Sequence, residues 1–593
     1  MQKLRLTSCL ALVLTVTVIM VLGACGQSGG TNEGGAATTA PLTTVAAAAT
    51  TAEAEAEAPT TLAAETSASA ITEASTTAAA TSATAQTAGA QTNSTDNDTS
   101  LLVNPDWAEP LTVRFASTQV RDGVDYNDCN LSRYFADRYN IQWEMIPLTW
   151  ANWGEMLRIW INSGDMPDMA TWDYVHGEAL TFARDGLVRR LPDGWEEKWP
   201  NVYSAVQASG IGPAVADIVG GYYFLHKAIF VHNKPTDPLV GHTVMYMRKD
   251  WMDALGVESK PAYTMSELID IAIKFRDEDP GGLGSSLVPM SLHSSSATSN
   301  FVGSQIAMSN NSAFFTGDDG LYHWTLSEPE ILTGLKLYQQ AYREGLFHPD
   351  FYLWSSDEDR QYFRTVGVGG MMSQEGMSII VDGVMQDLAG LGLTQNDLNV
   401  ATMLGEDGYF HQMETINFWT AAIFSPKLSE ADFERIMYLA DFTAQADTQL
   451  IIRMGFEGEH WKREGDEIIP LVPTGTNMWE IHPSIEPLWG NFLVLSDDFV
   501  QISPVITPWA HAITNEMYAL KDRMSTPKTV IATDWDLYFQ DSTARSMSNI
   551  NTTNAFTELI MMDGDLETNW LNWVEAQKPL IDPVIAELNA MKK

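Results

Sequence analysis

Cysteine and positive charge are scarce in this 593-residue sequence. Two of the three cysteines, Cys9 and Cys25, fall at the very front, so Cys129 stands alone in the body of the chain and no disulfide framework is possible there. Lys and Arg number 34 against 76 Asp and Glu, a formal net charge of −42. Such an acidic surface argues against nucleic acid, polyphosphate and anionic lipid headgroups as partners and suits neutral or basic ligands. The chain has no Gly-x-x-x-x-Gly-Lys-Ser/Thr loop, no Gly-x-Ser-x-Gly elbow, no His-Glu-x-x-His and no Cys-x-x-Cys. The eleven His residues are scattered, and the spacing of six between His226 and His232 matches no familiar metal pattern, so neither metal nor cofactor is expected. A glycosidase needs two facing carboxylates, and none of the 76 acids is singled out for that role. Beyond the front no long apolar stretch occurs, so nothing in the body reads as a membrane span.

The front itself is informative. Lys3 and Arg5 precede an apolar run from Leu10 to Val21, then Leu22-Gly23-Ala24-Cys25. A basic start, a short apolar stretch and small residues before a Cys describe an export signal over residues 1–24. The last four resemble the bacterial lipobox, which implies lipidation at Cys25. Removing the signal takes away Lys3 and Arg5 but no acid, which brings the charge to −44. Residues 26–100 hold Ala, Thr, Ser, Glu and Gly with no aromatic residue, Lys or Arg. Too little apolar surface is present to offset the entropy of ordering, so 25–100 reads as a lipidated, disordered tether with a reach of about 50 Å. The expected location is the extracellular face of the cell membrane.

The remainder, 101–593, is long enough for two lobes. Leu111, Val113 and Phe115 alternate, as do Ile141, Trp143 and Met145. A short helical stretch separates them, and Trp153, Met156, Leu157, Trp160 and Ile161 then form one helical stripe ended by Gly164. Strand, helix, strand, helix is the grammar of a parallel sheet covered by helices. Thr264 with Glu267, Ser327 with Glu330 and Ser429 with Asp432 have the capping-box spacing or its Asp variant. The stretch "PDMATWDYVHGE" should bring Trp172 and Asp173 to the carboxyl end of a strand, where ligands sit in open α/β sheets.

The segment "INSGDMPDMATWDYVHGEALTFARDGLVRRL" resembles the oligosaccharide-binding lipoproteins of ABC importers, extracellular solute-binding protein family 1. "VMYMRKDWMDALGVESKPAYTMSELIDIAIKF", "YREGLFHPDF" and "GFEGEHWKREGDEI" are similar to the large Gram-positive branch of that family, the last with no assigned role. The resemblance implies an α/β, two-lobed, type II periplasmic-binding-protein-like fold. Its lobes would be formed from discontinuous segments crossing near 235–245 and 380–400. It also implies a monomeric receptor that hands an oligosaccharide to permease subunits powered by a separate ATPase. On this reading Trp172 is a stacking platform, Asp173 a hydroxyl acceptor and His176 a rim contact. The loop "STQVRDG" would supply Gln119, Arg121 or Asp122, and "VGVGGMMSQEG" would supply Ser373, Gln374 and Glu375 in place of the family's aromatic loop, with Trp509 as a second stacking ring. "GYYFLHKAIF" resembles the approach to the hinge, with Phe224 and His226 in place of the usual Gly and Pro. Relatives bind calcium after "DEDP", but the loop 279–288 offers only two hydroxyls beyond Asp279, so no calcium is expected. A secreted polysaccharide-cleaving enzyme and a sensor feeding a histidine kinase are the rival readings.

Overall fold

The computed structural model describes residues 101–593 apart from 119, 122, 150–151, 173–177, 232–233, 309–312, 466, 474–475, 477, 483–505, 541, 543–549 and 593. The strands begin with β1 (Leu111–Ser117), β2 (Ile141–Pro147), β3 (Met169–Trp172) and β4 (Leu225–His226). There follow β5 (Thr243–Arg248), β6 (Ala262–Thr264), β7 (Phe314–Thr316) and β8 (Tyr322–Trp324). Next come β9 (Met371–Glu375), β10 (Leu398–Leu404), β11 (Gln412–Met413) and β12 (Ala421–Phe424). The last are β13 (Trp461–Glu464), β14 (Glu467–Pro470) and β15 (Val530–Ile531).

Two sheets organise the lobes. The first runs β2-β1-β3-β12-β4, with β1 parallel to β2 and β3 and β12 antiparallel to its neighbours. The second runs β6-β10-β5-β9, with β5 antiparallel to β10 and β9 and β6 parallel to β10. Alternation sends Val113, Phe115, Met169 and Phe424 to one face of the first sheet and Ala116, Ala170, Trp172 and Ile423 to the other. Both faces are covered by helices, so both are buried. The second sheet likewise divides Met245, Met247 and Met371 from Val244, Tyr246 and Met372.

The expected strand and helix order over the first lobe is observed. The helix Trp153–Ser163 buries Trp153, Leu157 and Ile161 and ends on Gly164 with φ 71°. Thr264 and Glu267 form the full capping box, and the Ser429 hydroxyl accepts from the Asp432 amide at 3.1 Å. Ser327 does not cap. Pro329 occupies the first turn of the helix Pro329–Arg343, Glu328 becomes the cap residue, and the Ser327 hydroxyl donates back to the Trp324 carbonyl at 2.8 Å.

The chain passes to the second sheet between β4 and β5, which overlaps the expected 235–245. It returns between β10 and β12, later than the expected 380–400, most of which lies in the helix Ser378–Gly390. That helix buries Val381, Val384 and Leu388 against the second sheet and has no freedom to cross. The stretch around β15, between helices that both pack in the second lobe's cores, pairs in parallel with β11 of the return passage.

Candidate functional site

A cleft of about 540 Å³ opens where these passages meet the lobes. Ser299, Asn300 and Ser304, at the end of the helix Ser294–Phe301 and just beyond it, form its wall on the second lobe. The return passage supplies Phe410 to Ile416, Phe418 and Trp419, and the segment after β15 supplies Thr533, Asp534 and Tyr538. The cleft is thus framed by the second lobe, the return passage and the segment after β15.

Its polar groups are held in place. The Asp534 carboxylate accepts from the Leu537 amide at 3.0 Å and from the Tyr322 hydroxyl at 2.8 Å. Glu414 accepts from the Thr533 amide at 2.9 Å. Ser373 donates to the amide oxygen of Asn300 at 3.2 Å. Lys521, 1% exposed on the helix Pro508–Arg523, donates to the carbonyls of Gly241 and Thr243 at 2.6 and 2.9 Å. Burial brings its pKa down to about 7, since no water solvates the ammonium form.

Trp419 is the cleft's aromatic surface. Its indole is 38% exposed, and the Lys227 ammonium lies 4.4 Å from the ring centroid. It follows Phe418 and immediately precedes Thr420 and the buried strand β12. Sequence reasoning missed it. The only signal was an aromatic pair in front of an apolar run, and core tryptophans give the same one.

Trp172 requires a correction. Its side chain is 0% exposed, with ring centroids 5.2 Å from Phe182 and 6.2 Å from Phe224. It projects from the face of β3 covered by the helices Trp153–Ser163 and Glu178–Arg184, and packing there leaves no ring face for a ligand. Gln374 is also buried, in β9, where Arg364 donates to its side-chain oxygen at 3.3 Å. Glu375 ends the same strand with its carboxylate 3.6 Å from Arg360 and its carbonyl accepting from the Tyr246 hydroxyl. Neither lines the cleft; of that trio Ser373 approaches it, through Asn300. Trp509 packs partly buried on the core beside the second sheet, because it sits in the first turn of a helix laid against that sheet. Arg121 is exposed beside a separate depression of about 470 Å³ with Tyr126, Asn127 and Trp143, and its amide donates to the Tyr126 hydroxyl at 2.7 Å. Gln119, Asp122, Asp173, His176 and Cys25 lie outside the described residues.

Two other expectations find a physical answer. The Asp279 carboxylate accepts from the amides of Leu283 and Gly284 at 2.9 and 2.8 Å, which lowers its pKa and closes the loop with the chain's own donors. In "GFEGEHW", the His460 Nδ1 accepts from the Phe456 amide and the Trp461 indole donates to the Gly455 carbonyl. Gly455 has φ 75°, and a Cβ there would stand 2.6 Å from His460 and 2.9 Å from His482, so the motif is a packed knot.

Residues 130–384 match the family profile of bacterial extracellular solute-binding proteins. That stretch, less than half of the chain, carries the signature of the family. No curated protein sequence matches it. Among solved structures it is similar to the HMO-binding, ABC-transporter-associated solute-binding protein of Bifidobacterium longum infantis, at 15% identity and TM-score 0.56, covering 79% of this chain and 96% of that one. It is similar to the S. pneumoniae ABC-transporter substrate-binding protein FusA in complex with kestose, at 15% identity and TM-score 0.59, covering 82% and 98%. A third likeness is the alginate-binding protein AlgQ2 without calcium ion, at 15% identity and TM-score 0.58, covering 81% and 97%. At these identities the likeness shows the fold. The solute-binding family is one of binding proteins, not enzymes. In this chain the Ser296 hydroxyl and the Asp359 carboxylate both meet the same nitrogen of His293, Nδ1, at 2.7 and 2.5 Å, so this trio is not a nucleophile relay, which needs both nitrogens.

Proposed function

We propose that this solute-binding protein captures an oligosaccharide in the cleft between its lobes and delivers it to an ABC permease, held at the cell membrane through a lipidated Cys25. The observation that carries the reading is the half-exposed Trp419 indole beside pre-oriented polar groups on the second lobe and the joining segments. A sugar ring has apolar C–H faces and a polar rim. An indole covers the face, while fixed carboxylates, amides and hydroxyls take the rim. Ligand contacts to both lobes at once favour a closed state by population shift. The sugars in the names of the similar proteins support the class of ligand.

The sequence front supports the lipid tether and an extracellular location. The family supports partnership with permease subunits; the separate ATPase and the monomeric state belong to the same proposal. The test is isothermal titration of the purified protein against malto-, xylo-, manno-, fructo- and N-acetylchito-oligosaccharides, with and without Trp419→Ala. Binding by at least one series, weakened by the substitution, is expected. No binding by any of them, or release of reducing ends, would overturn the reading.

A further inference from the structure

The two passages that join the lobes, and the stretch around β15, are tied to one another by side chains of the return passage. Glu414 accepts from the Leu239 amide of the first passage at 3.3 Å and from the Thr533 amide of the stretch after β15 at 2.9 Å, with Lys234 at 3.7 Å from the same carboxylate. Backbone bonds run beside it, from Thr415 to the Leu239 carbonyl and from Glu414 to the Ile531 carbonyl, both at 2.8 Å. Gln412 accepts from the Gly241 amide at 2.9 Å, an approach possible only because a Cβ at Gly241 would stand 2.5 Å from that side chain. Of these groups, Glu414 is the one whose two oxygens reach different stretches. Charge-assisted bonds from a carboxylate to backbone amides are about twice as strong as neutral ones, and both are made at the floor of the cleft.

We infer that Glu414 is a hinge latch: by bonding Leu239 and Thr533 together it makes the two joining passages and the stretch after β15, which packs on both lobes, turn as one unit and sets how readily the lobes close. This rests on the reading of lobe closure around a ligand. The latch acts on closure from the joining segments, so Glu414 is a positioning residue whatever contact it also makes with ligand. Without it only backbone bonds and Gln412 tie these stretches, their relative motion grows, and closure must order them anew on each binding event.

Hydrogen–deuterium exchange of the ligand-free full chain is the first arm of the test. In Glu414→Ala, exchange at Leu239 and Thr533 should rise while β1 and β5 stay protected. The second arm is the affinity for whichever oligosaccharide of the panel binds best, expected to fall about tenfold, with Glu414→Gln intermediate because its amide keeps one acceptor oxygen. A merely structural glutamate would instead lower the melting temperature with affinity unmoved. Unchanged protection at the two amides, or loosened amides with unaltered affinity, would overturn the latch. If the wild-type chain binds no saccharide, the sugar reading fails, and the ligand-free exchange still decides whether the latch exists.

Discussion

Replacing Trp419 by Ala removes the one surface on which the sugar reading leans most. A buried aromatic side chain covers up to about 250 Å², and 38% of that leaves roughly 95 Å² for a ligand to cover. At about 25 cal/mol per Å², full coverage gives roughly 2.4 kcal/mol; a sugar on one ring face covers about half, so about 1.2 kcal/mol and a roughly eightfold loss of affinity are expected. The fold should tolerate the change, since the lost contact with the Lys227 ammonium is worth only about 0.5–1 kcal/mol. Isothermal titration with the best-binding oligosaccharide reads the first number and chemical denaturation the second. Trp419→Phe, which keeps a smaller ring, should fall between. A dissociation constant that does not move in a folded Trp419→Ala protein would refute the placement of the stacking surface.

Trp172→Ala is expected to be the opposite case: about 3–5 kcal/mol lost in denaturant unfolding, with the affinity of the remaining folded protein nearly unchanged. His226, 1% exposed in β4, has its pKa lowered by burial to about 3, so its contribution is complete above the unfolded value near 6.5 and is lost as pH falls toward 3. Unfolding at pH 7 and pH 5 should show about 2 kcal/mol more loss in the wild type than in His226→Gln. Calcium and chelator should leave the melting temperature unmoved, while Asp279→Ala should lower it equally in both by freeing the amides of Leu283 and Gly284. Gly455→Ala should destabilise the chain, because its φ of 75° and the crowding by His460 and His482 both oppose a side chain.

The first lobe was readable because its signals are local. Alternation from Leu111 and from Ile141 and the stripe from Trp153 to Ile161 each act within a few residues, as does the box at Thr264 in the second lobe. Trp172 misled for a physical reason: all four residues of β3 are buried between two helical layers, so being on a strand end says nothing about facing solvent. The cap expected at Ser327 gave way to Pro329, whose fixed φ suits the first helical turn. The cleft was not legible because it is assembled by distant segments; Lys227 meets Trp419, and Tyr322 meets Asp534, across long stretches of chain. Tertiary contacts of that kind leave no periodic trace.

The central claim is that a saccharide is held between the two sheets against Trp419 without chemical change. Its most direct measurement is a crystal structure of the protein with the tightest-binding oligosaccharide. The account predicts an intact sugar with one ring over the Trp419 indole and its hydroxyls toward Asn300, Glu414 or Asp534. Density for the sugar in the depression beside Tyr126 and Trp143 instead, or for a cleaved product, would contradict it.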